Sequence, residues 1–126
     1  MINIIETSNA PSAIGPYSQA IMLDNLIFTS GQLGIDLKTG NLVEGGVEIQ
    51  TKQAIQNLSA ILESAGSSLK YVLKTTLFIA NMDDFAIINK IYAEYFTDHK
   101  PARSCIQAGR LPKDALFEIE AIAIKA

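Results

Sequence analysis

The chain has 126 residues, which is enough for one domain spanning 1–126 with its own core and too few for two. Its composition, 48% hydrophobic and 18% charged, argues against a disordered chain and indicates that some apolar surface is covered in an oligomer. The net charge of −3 gives no general attraction to nucleic acid or to an anionic membrane.

The first third of the chain is predicted to be rich in β-structure. Residues 17–22 and 26–30 are short runs of strand-forming residues on either side of the turn signal Asp24-Asn25. A further turn is predicted at 37–40. The pattern indicates two short strands with long loops around them.

Residues 47–65 show a helical pattern, with apolar side chains recurring every three or four positions. Gly66 supplies the left-handed conformation that commonly ends a helix. The apolar positions are Val47, Ala54, Ile55, Leu58, Ile61, Leu62 and Ala65.

A strand and a second helix are predicted next. Residues 72–80 have the β-branched and aromatic content of a strand. Asp83 is positioned to cap a helix that ends before Pro101. One side of this helix carries Ile88, Ile91, Tyr92, Tyr95 and Phe96.

The last quarter is predicted to form two strands, at 102–108 and 116–125, joined by a loop with Gly109, Pro112 and Asp114. The whole order predicts an α+β fold, in which two helices cover one face of a mixed or antiparallel sheet of five or six strands.

The other face of this sheet is also predicted to need a cover, because the strand at 72–80 is apolar on both sides. Alternation places Leu73, Leu77 and Ile79 on one side and Val72, Phe78 and Ala80 on the other. Burial of the second face against other subunits would explain the apolar composition.

Chemistry-bearing residues concentrate in the last two predicted strands. Alternation puts Arg103, Cys105 and Gln107 on one face of the first, and Glu118 and Glu120 on one face of the second. These charges are either exposed or paired structurally, or they line a pocket in which the arginine binds a substrate carboxylate and a carboxylate moves protons. A simple hairpin register does not bring Arg103 opposite Glu118, so a shared site would need a loop or a neighbouring subunit.

Cys105 is the only cysteine and His99 the only histidine. This excludes an intramolecular disulfide and a zinc site of usual spacing. Cys105 is expected to be a small packed residue whose backbone faces the pocket, with a catalytic thiol as the alternative. His99 is expected to offset the dipole at the end of the second helix.

Three further features bear on function. Ser30 and Gly31 follow a strand and can line a pocket, but no phosphate-binding glycine motif is present. The basic residues at 100–113 lack an aromatic partner for stacking bases and are expected to be solvated. No secretion signal or apolar run of about 18 residues is recognisable, so the expected location is cytoplasmic.

Several ordered motifs spread along the chain are similar to those of one known family. They are APSAIGPYSQ at 10–19, TSGQ at 29–32, PARSC at 101–105, RLPKD at 110–114 and EIEA at 118–121. With these motifs the chain resembles the Rid (YjgF/RidA) family of reactive-intermediate deaminases. Residues 100–102 form a shorter segment than in members with an aromatic residue before the proline, which predicts a cleft rim of different shape.

The resemblance implies a chorismate-mutase-like α+β fold assembled as a homotrimer, with three clefts between subunits and no metal or organic cofactor. It implies hydrolysis of 2-imino acids and their enamine tautomers, such as 2-iminobutanoate and 2-aminoacrylate, to 2-keto acids and ammonia. Arg103 would anchor the substrate carboxylate and Glu118 would position water. The same pocket would be lined by Tyr17, Ser30, Gly31, Asn89 and the backbone at Cys105.

A different class of function fits the same residues. The pocket and the apolar surplus are also expected of a non-enzymatic module that binds small carboxylates or a protein partner. Turnover separates the two, since the module would bind a 2-keto acid without hydrolysing an imine. Binding to nucleic acid is not expected of an acidic chain.

Overall fold

The computed structural model describes residues 1–126 and shows a seven-stranded mixed sheet with two α-helices on one face. The helices are α1 (Val47–Ser64) and α2 (Phe85–Tyr95). The strands are β1 (Ile2–Ile5), β2 (Ala20–Leu23), β3 (Leu26–Thr29), β4 (Gln32–Leu33), β5 (Val72–Ile79), β6 (Ala102–Gln107) and β7 (Phe117–Ile124). The predicted α+β class and two-helix layer are confirmed. The sheet has more strands than predicted because β1 and β4 are too short for a two-residue period to reveal them.

The sheet order β1-β2-β3-β7-β5-β6 places β7 in the middle and β6 at one edge. Short β4 also pairs with β7. Neighbouring strands are antiparallel except β5 and β6, which are parallel and connected through α2. The strand that carries Arg103 is therefore separated from the strand that carries Glu118 by β5.

The core lies between α1 and the central strand. Alternate β7 residues are buried against the helices: Phe117, Ile119, Ala121 and Ala123. The predicted helix stop is confirmed, because Gly66 has φ of 79° and its N–H donates to the carbonyl of Glu63. The buried α1 residues of this core are Ala54, Ile55, Leu58, Ile61 and Leu62.

A β-bulge in β5 makes part of the predicted alternation wrong. The pairing with β7 shifts between Val72 and Lys74, so that Val72 joins the buried face while Leu73 becomes exposed. Leu77 and Ile79 lie on the buried side as predicted. A bulge inserts one residue and reverses the alternation on one side of it, which a strict period of two cannot anticipate.

Two predicted boundaries also differ from the structure. The second strand begins at Ala20 and not at 17, because Gln19 hydrogen-bonds to the preceding loop. Before α2, Asn81 is the residue that caps a short 3₁₀ turn, and its side chain accepts from the N–H of Asp83. The prediction that Asp83 supplies the cap is wrong.

The sheet face opposite the helices is apolar and uncovered within the chain. Ile4 is 68% exposed and Ile106 51%, and Ile2, Leu23, Leu26 and Phe28 are also exposed. The position of Phe78 and Ile122 on this face extends it across the central strands. Neither helix is long and apolar enough to cross a membrane.

Candidate active site

Glu118 lies on the outer face of the sheet, next to a break between β3 and β4. Both strands run along the same side of β7, where β3 pairs with Ile122–Ile124 and β4 with Glu118 and Ile119. Ser30 and Gly31 form the break, and Gly31, the residue next to the carboxylate, has no side chain. A Cβ atom on Gly31 would lie 2.3 Å from Oε2 of Glu118. The glycine therefore provides the space that the carboxylate occupies.

The Glu118 carboxyl has an altered acidity. Burial raises its pKa above the ordinary value, and the like charge of Glu120 on the same strand face raises it further. The one ion pair of the chain joins Arg110 to Asp114, which leaves Glu118 without a cationic partner. A carboxyl in this state exchanges protons closer to neutral pH than a solvated glutamate.

A cavity of about 210 Å³ opens beside this carboxyl. Tyr17, Gly31 and Glu118 line it together, and Ile14 and Ile35 are among its apolar residues. A larger hollow of about 590 Å³ adjoins Tyr17 but contains neither Gly31 nor Glu118. We place the candidate site in the smaller cavity because it contains the carboxyl with the raised pKa.

The loop that carries Tyr17 is held by Gln19, which sequence analysis missed. Gln19 is 3% exposed, and its Nε2 donates to the carbonyl of Pro11 (2.8 Å) while its Oε1 accepts from the N–H of Thr7 (2.7 Å). The Ser30 hydroxyl donates to the carbonyl of Ser18 (2.6 Å). Ser30 therefore fastens this loop, and the cavity is lined by Gly31 and not by the Ser30 side chain. A buried amide amid loop residues has no periodic signal by which sequence could identify it.

We expect Gly31→Ala to lower kcat by about tenfold or more while leaving the melting temperature nearly unchanged. The atoms that the new methyl would meet, Oε2 at 2.3 Å and Cδ at 2.8 Å, belong to the mobile end of Glu118, which can swing away at little cost. Steady-state kinetics and thermal unfolding measure the two effects. Gly109→Ala is the matched control, since its Cβ would meet nothing within 4 Å. If Gly31→Ala and Gly109→Ala had the same kcat, the assigned position of the Glu118 carboxylate would be wrong.

A second group of predicted residues assembles around Arg103 on the helix-covered face. Arg103 pairs in register with Thr75 of β5 and reaches α2, where its Nη1 donates to Oδ1 of Asn89 (2.7 Å). The guanidinium also lies over the rings of Tyr92 and Phe85. Phe85, Asn89 and Tyr92 are spaced by four and three residues, so helical periodicity could have placed all three on one face. Arg103 makes no ion pair within the chain.

Cys105 follows Arg103 on the same strand face, with its side chain packed against the core. Burial raises the pKa of its thiol, which the nearby Arg103 charge only partly offsets. The thiol therefore stays protonated near neutral pH and is a poor nucleophile. His99 lies beyond the end of α2, so the prediction that it belongs to the end of this helix is wrong. Its Nε2 contacts the carbonyl of Val72 and not Cys105.

The two groups of residues do not meet within one chain. Arg103 is in register with Thr75 and Glu118 with Phe78, so the two positions are three residues apart along β5 and two strands apart across the sheet. Strand geometry makes their backbone separation roughly 14 Å, with side chains on opposite faces. No three His, Cys, Asp or Glu side chains converge to hold a metal ion.

Comparisons with known proteins agree on one family. The family model described as Endoribonuclease L-PSP matches residues 7–125. A RutC family protein of Pyrococcus horikoshii is 54% identical over 99% of both chains. The human 2-iminobutanoate/2-iminopropanoate deaminase is 48% identical over 97% of this chain and 89% of its own length.

A solved structure extends the likeness to the fold. A Yersinia pestis protein, described as of unknown function and of the conserved Rid protein family, superposes with a TM-score of 0.95. It is 48% identical over 98% of this chain and 99% of its own. The sequence motifs, the fold and these relatives together show that this chain belongs to the Rid (YjgF/RidA) family.

Proposed function

We propose that this chain hydrolyses reactive 2-imino acids and their enamine tautomers to 2-keto acids and ammonia. The observation that carries the proposal is the pair of groups described above: a guanidinium with no acidic partner and a half-buried carboxyl with a raised pKa. The activity named for the human relative is of this class. The proposed substrates are short, such as 2-aminoacrylate and 2-iminobutanoate, and the proposed location is the cytoplasm.

The proposed chemistry needs only positioning and proton transfer. Arg103 binds the substrate carboxylate, with Asn89 and the backbone at Cys105 beside it, while Tyr17 and Gly31 line the other side. Glu118 orients a water molecule that adds to the imine carbon, and takes up one proton from it. Glu118 returns this proton to the nitrogen; the hydroxyl then gives its own proton to Glu118 as the C–N bond breaks and the carbonyl forms, and ammonia leaves. A protonated imine carbon is already electrophilic, so general acid–base help and orientation suffice.

Because Arg103 and Glu118 face away from each other in one chain, we propose that each site is shared. In a homotrimer, the Arg103 side of one protomer would meet the Glu118 side of its partner. The exposed apolar face of the sheet supports assembly, since Ile2, Ile4, Phe28 and Ile106 have no cover within the chain.

Mixing two inactive variants tests both the reaction and the shared site. We expect Arg103→Ala and Glu118→Gln each to retain at most about 1% of wild-type activity toward 2-aminoacrylate generated in situ. Co-refolded in equal amounts, they should recover about a quarter of wild-type ammonia release, because that share of the seams joins an intact arginine to an intact glutamate. Absence of recovery would place both groups in one subunit.

Binding of 2-ketobutanoate by the wild-type protein without imine hydrolysis would favour a non-enzymatic module.

A further inference from the structure

The guanidinium of Arg103 rests on an aromatic surface of α2. Its Cζ atom lies 4.8 Å from the centroid of the Tyr92 ring and 5.5 Å from that of Phe85. Only one of the five N–H groups of an arginine is used within the chain, in the hydrogen bond to Asn89. The ring faces are therefore contacts that hold the guanidinium while leaving N–H groups free for a ligand.

Tyr92 is itself fixed on two sides. Its hydroxyl shares a 2.8 Å hydrogen bond with Oγ1 of Thr75, which is fully buried, and its ring stacks on Phe96 with centroids 4.4 Å apart. Thr75 is also the register partner of Arg103 in the neighbouring strand. Thr75 is thus paired with Arg103 in the sheet and hydrogen-bonded to Tyr92, whose ring lies beneath the guanidinium.

The environment of Tyr92 also keeps its ring neutral. Burial raises the pKa of the Tyr92 hydroxyl, and the Thr75 hydrogen bond and the Arg103 charge only partly oppose this. The hydroxyl therefore stays protonated at neutral pH, and the ring beneath the guanidinium carries no charge. Nothing in the imine chemistry requires Tyr92 to exchange a proton.

We propose that Tyr92 is a positioning residue for the carboxylate anchor, which rests on the proposed role of Arg103. Arginine has many rotamers, and only some present its planar edge to a carboxylate. The guanidinium lies over the Tyr92 ring, and this contact restricts the arginine side chain while leaving N–H groups free for a carboxylate. Substrate then binds to an arginine that is already ordered, which lowers the entropic cost of binding.

Two substitutions at this position separate the ring from the hydroxyl. We expect Tyr92→Leu, which removes the aromatic face, to raise KM and the inhibition constant of 2-ketobutanoate by about tenfold, with a smaller change in kcat. Tyr92→Phe keeps the face and loses only the bond to Thr75. It should lower the melting temperature while leaving KM within about twofold of wild type.

The different expected effects of Tyr92→Leu and Tyr92→Phe on KM distinguish a residue that positions Arg103 from one that only stabilises the fold. A purely structural role would make the loss of affinity follow the loss of stability, so equal increases in KM for both variants would overturn the proposal. Should Tyr92→Leu fail to fold, Phe85→Leu removes the more distant ring and should raise KM by a smaller factor. An unchanged KM in Phe85→Leu, with Tyr92→Leu unfolded, would also overturn it.

A double-substitution cycle tests whether Tyr92 acts through Arg103. In an Arg103→Ala background, Tyr92→Leu should cause no further loss in the residual kcat/KM. A further tenfold loss would show that the ring acts elsewhere and overturn the proposal. The two proposals fail differently. A wild-type protein that binds 2-ketobutanoate without hydrolysing imines contradicts the proposed function, whereas an active wild type and a defective Arg103→Ala, together with an unaltered Tyr92→Leu, contradict only the positioning role.

Discussion

Arg103→Ala is expected to lower kcat/KM for imine hydrolysis by about 100-fold or more, a loss of about 3 kcal/mol in transition-state stabilisation. The reason is that Arg103, the proposed carboxylate anchor, is the one arginine of the chain without an acidic partner. Arg110, the other arginine, already pairs with Asp114 at 2.7 Å. Ammonia release from 2-aminoacrylate formed in situ measures the effect.

The matched control for this experiment is Arg110→Ala. It removes a guanidinium of equal size and charge from an exposed position outside both groups of site residues, so turnover should stay near wild type. Arg103→Lys should recover only part of the activity, because an ammonium group keeps the charge but not the planar pair of donors. Unchanged turnover in Arg103→Ala would remove the carboxylate anchor from the mechanism.

Glu118→Gln is expected to lower kcat by about 10² to 10⁴-fold, the usual contribution of a positioned acid or base. The amide is nearly the same size as the carboxyl and fits the space beside Gly31, so the loss would be one of proton transfer and not of shape. A loss of proton transfer lowers kcat and leaves the inhibition constant of 2-ketobutanoate near the wild-type value, whereas a change in the shape of the site raises this inhibition constant. Equal kcat for wild type and variant would contradict the assignment.

The raised pKa of Glu118 also predicts the pH dependence of the wild-type enzyme. A water-activating carboxylate must be deprotonated, so kcat/KM should fall as pH decreases through the pKa of Glu118, which lies above the ordinary glutamate value. Burial is the larger cause of this raised pKa and the Glu120 carboxylate the smaller. Glu120→Gln should therefore move the acid limb of the profile to lower pH. An acid limb that does not move would show that Glu120 has no influence on the catalytic group.

The elements that sequence predicted well are those with repeated, uninterrupted patterns. The α1 prediction at 47–65 differs from Val47–Ser64 by one residue, because a long apolar stripe and a terminal glycine identify it independently. The strands at 102–108 and 116–125 agree with β6 and β7 to within one residue at each end. Among the strands, the failures are β1, β4, the start of β2 and the β5 bulge, where a strand is short or its alternation is broken.

The residues of the candidate site were found by motif, but their arrangement was not. The motifs identify Arg103, Glu118, Gly31 and Tyr17 through family resemblance, and alternation places Arg103 and Cys105 on one strand face, as β6 shows. Their distribution between two faces of the sheet depends on strand order, which places β5 between the two strands. Gln19 and the ring contact of Tyr92 depend on contacts distant in sequence.

By itself, the sequence determined the α+β class, the two helices, the family and the identity of the charged residues, because each is encoded in local periodicity or in a contiguous motif. Only the tertiary structure decided that Gly31 leaves room for the Glu118 carboxyl, that Arg103 lies against α2, and that the two groups face apart. The physical reason is that pairing order and cross-sheet packing join residues far apart along the chain, and local patterns contain no information about which strands become neighbours.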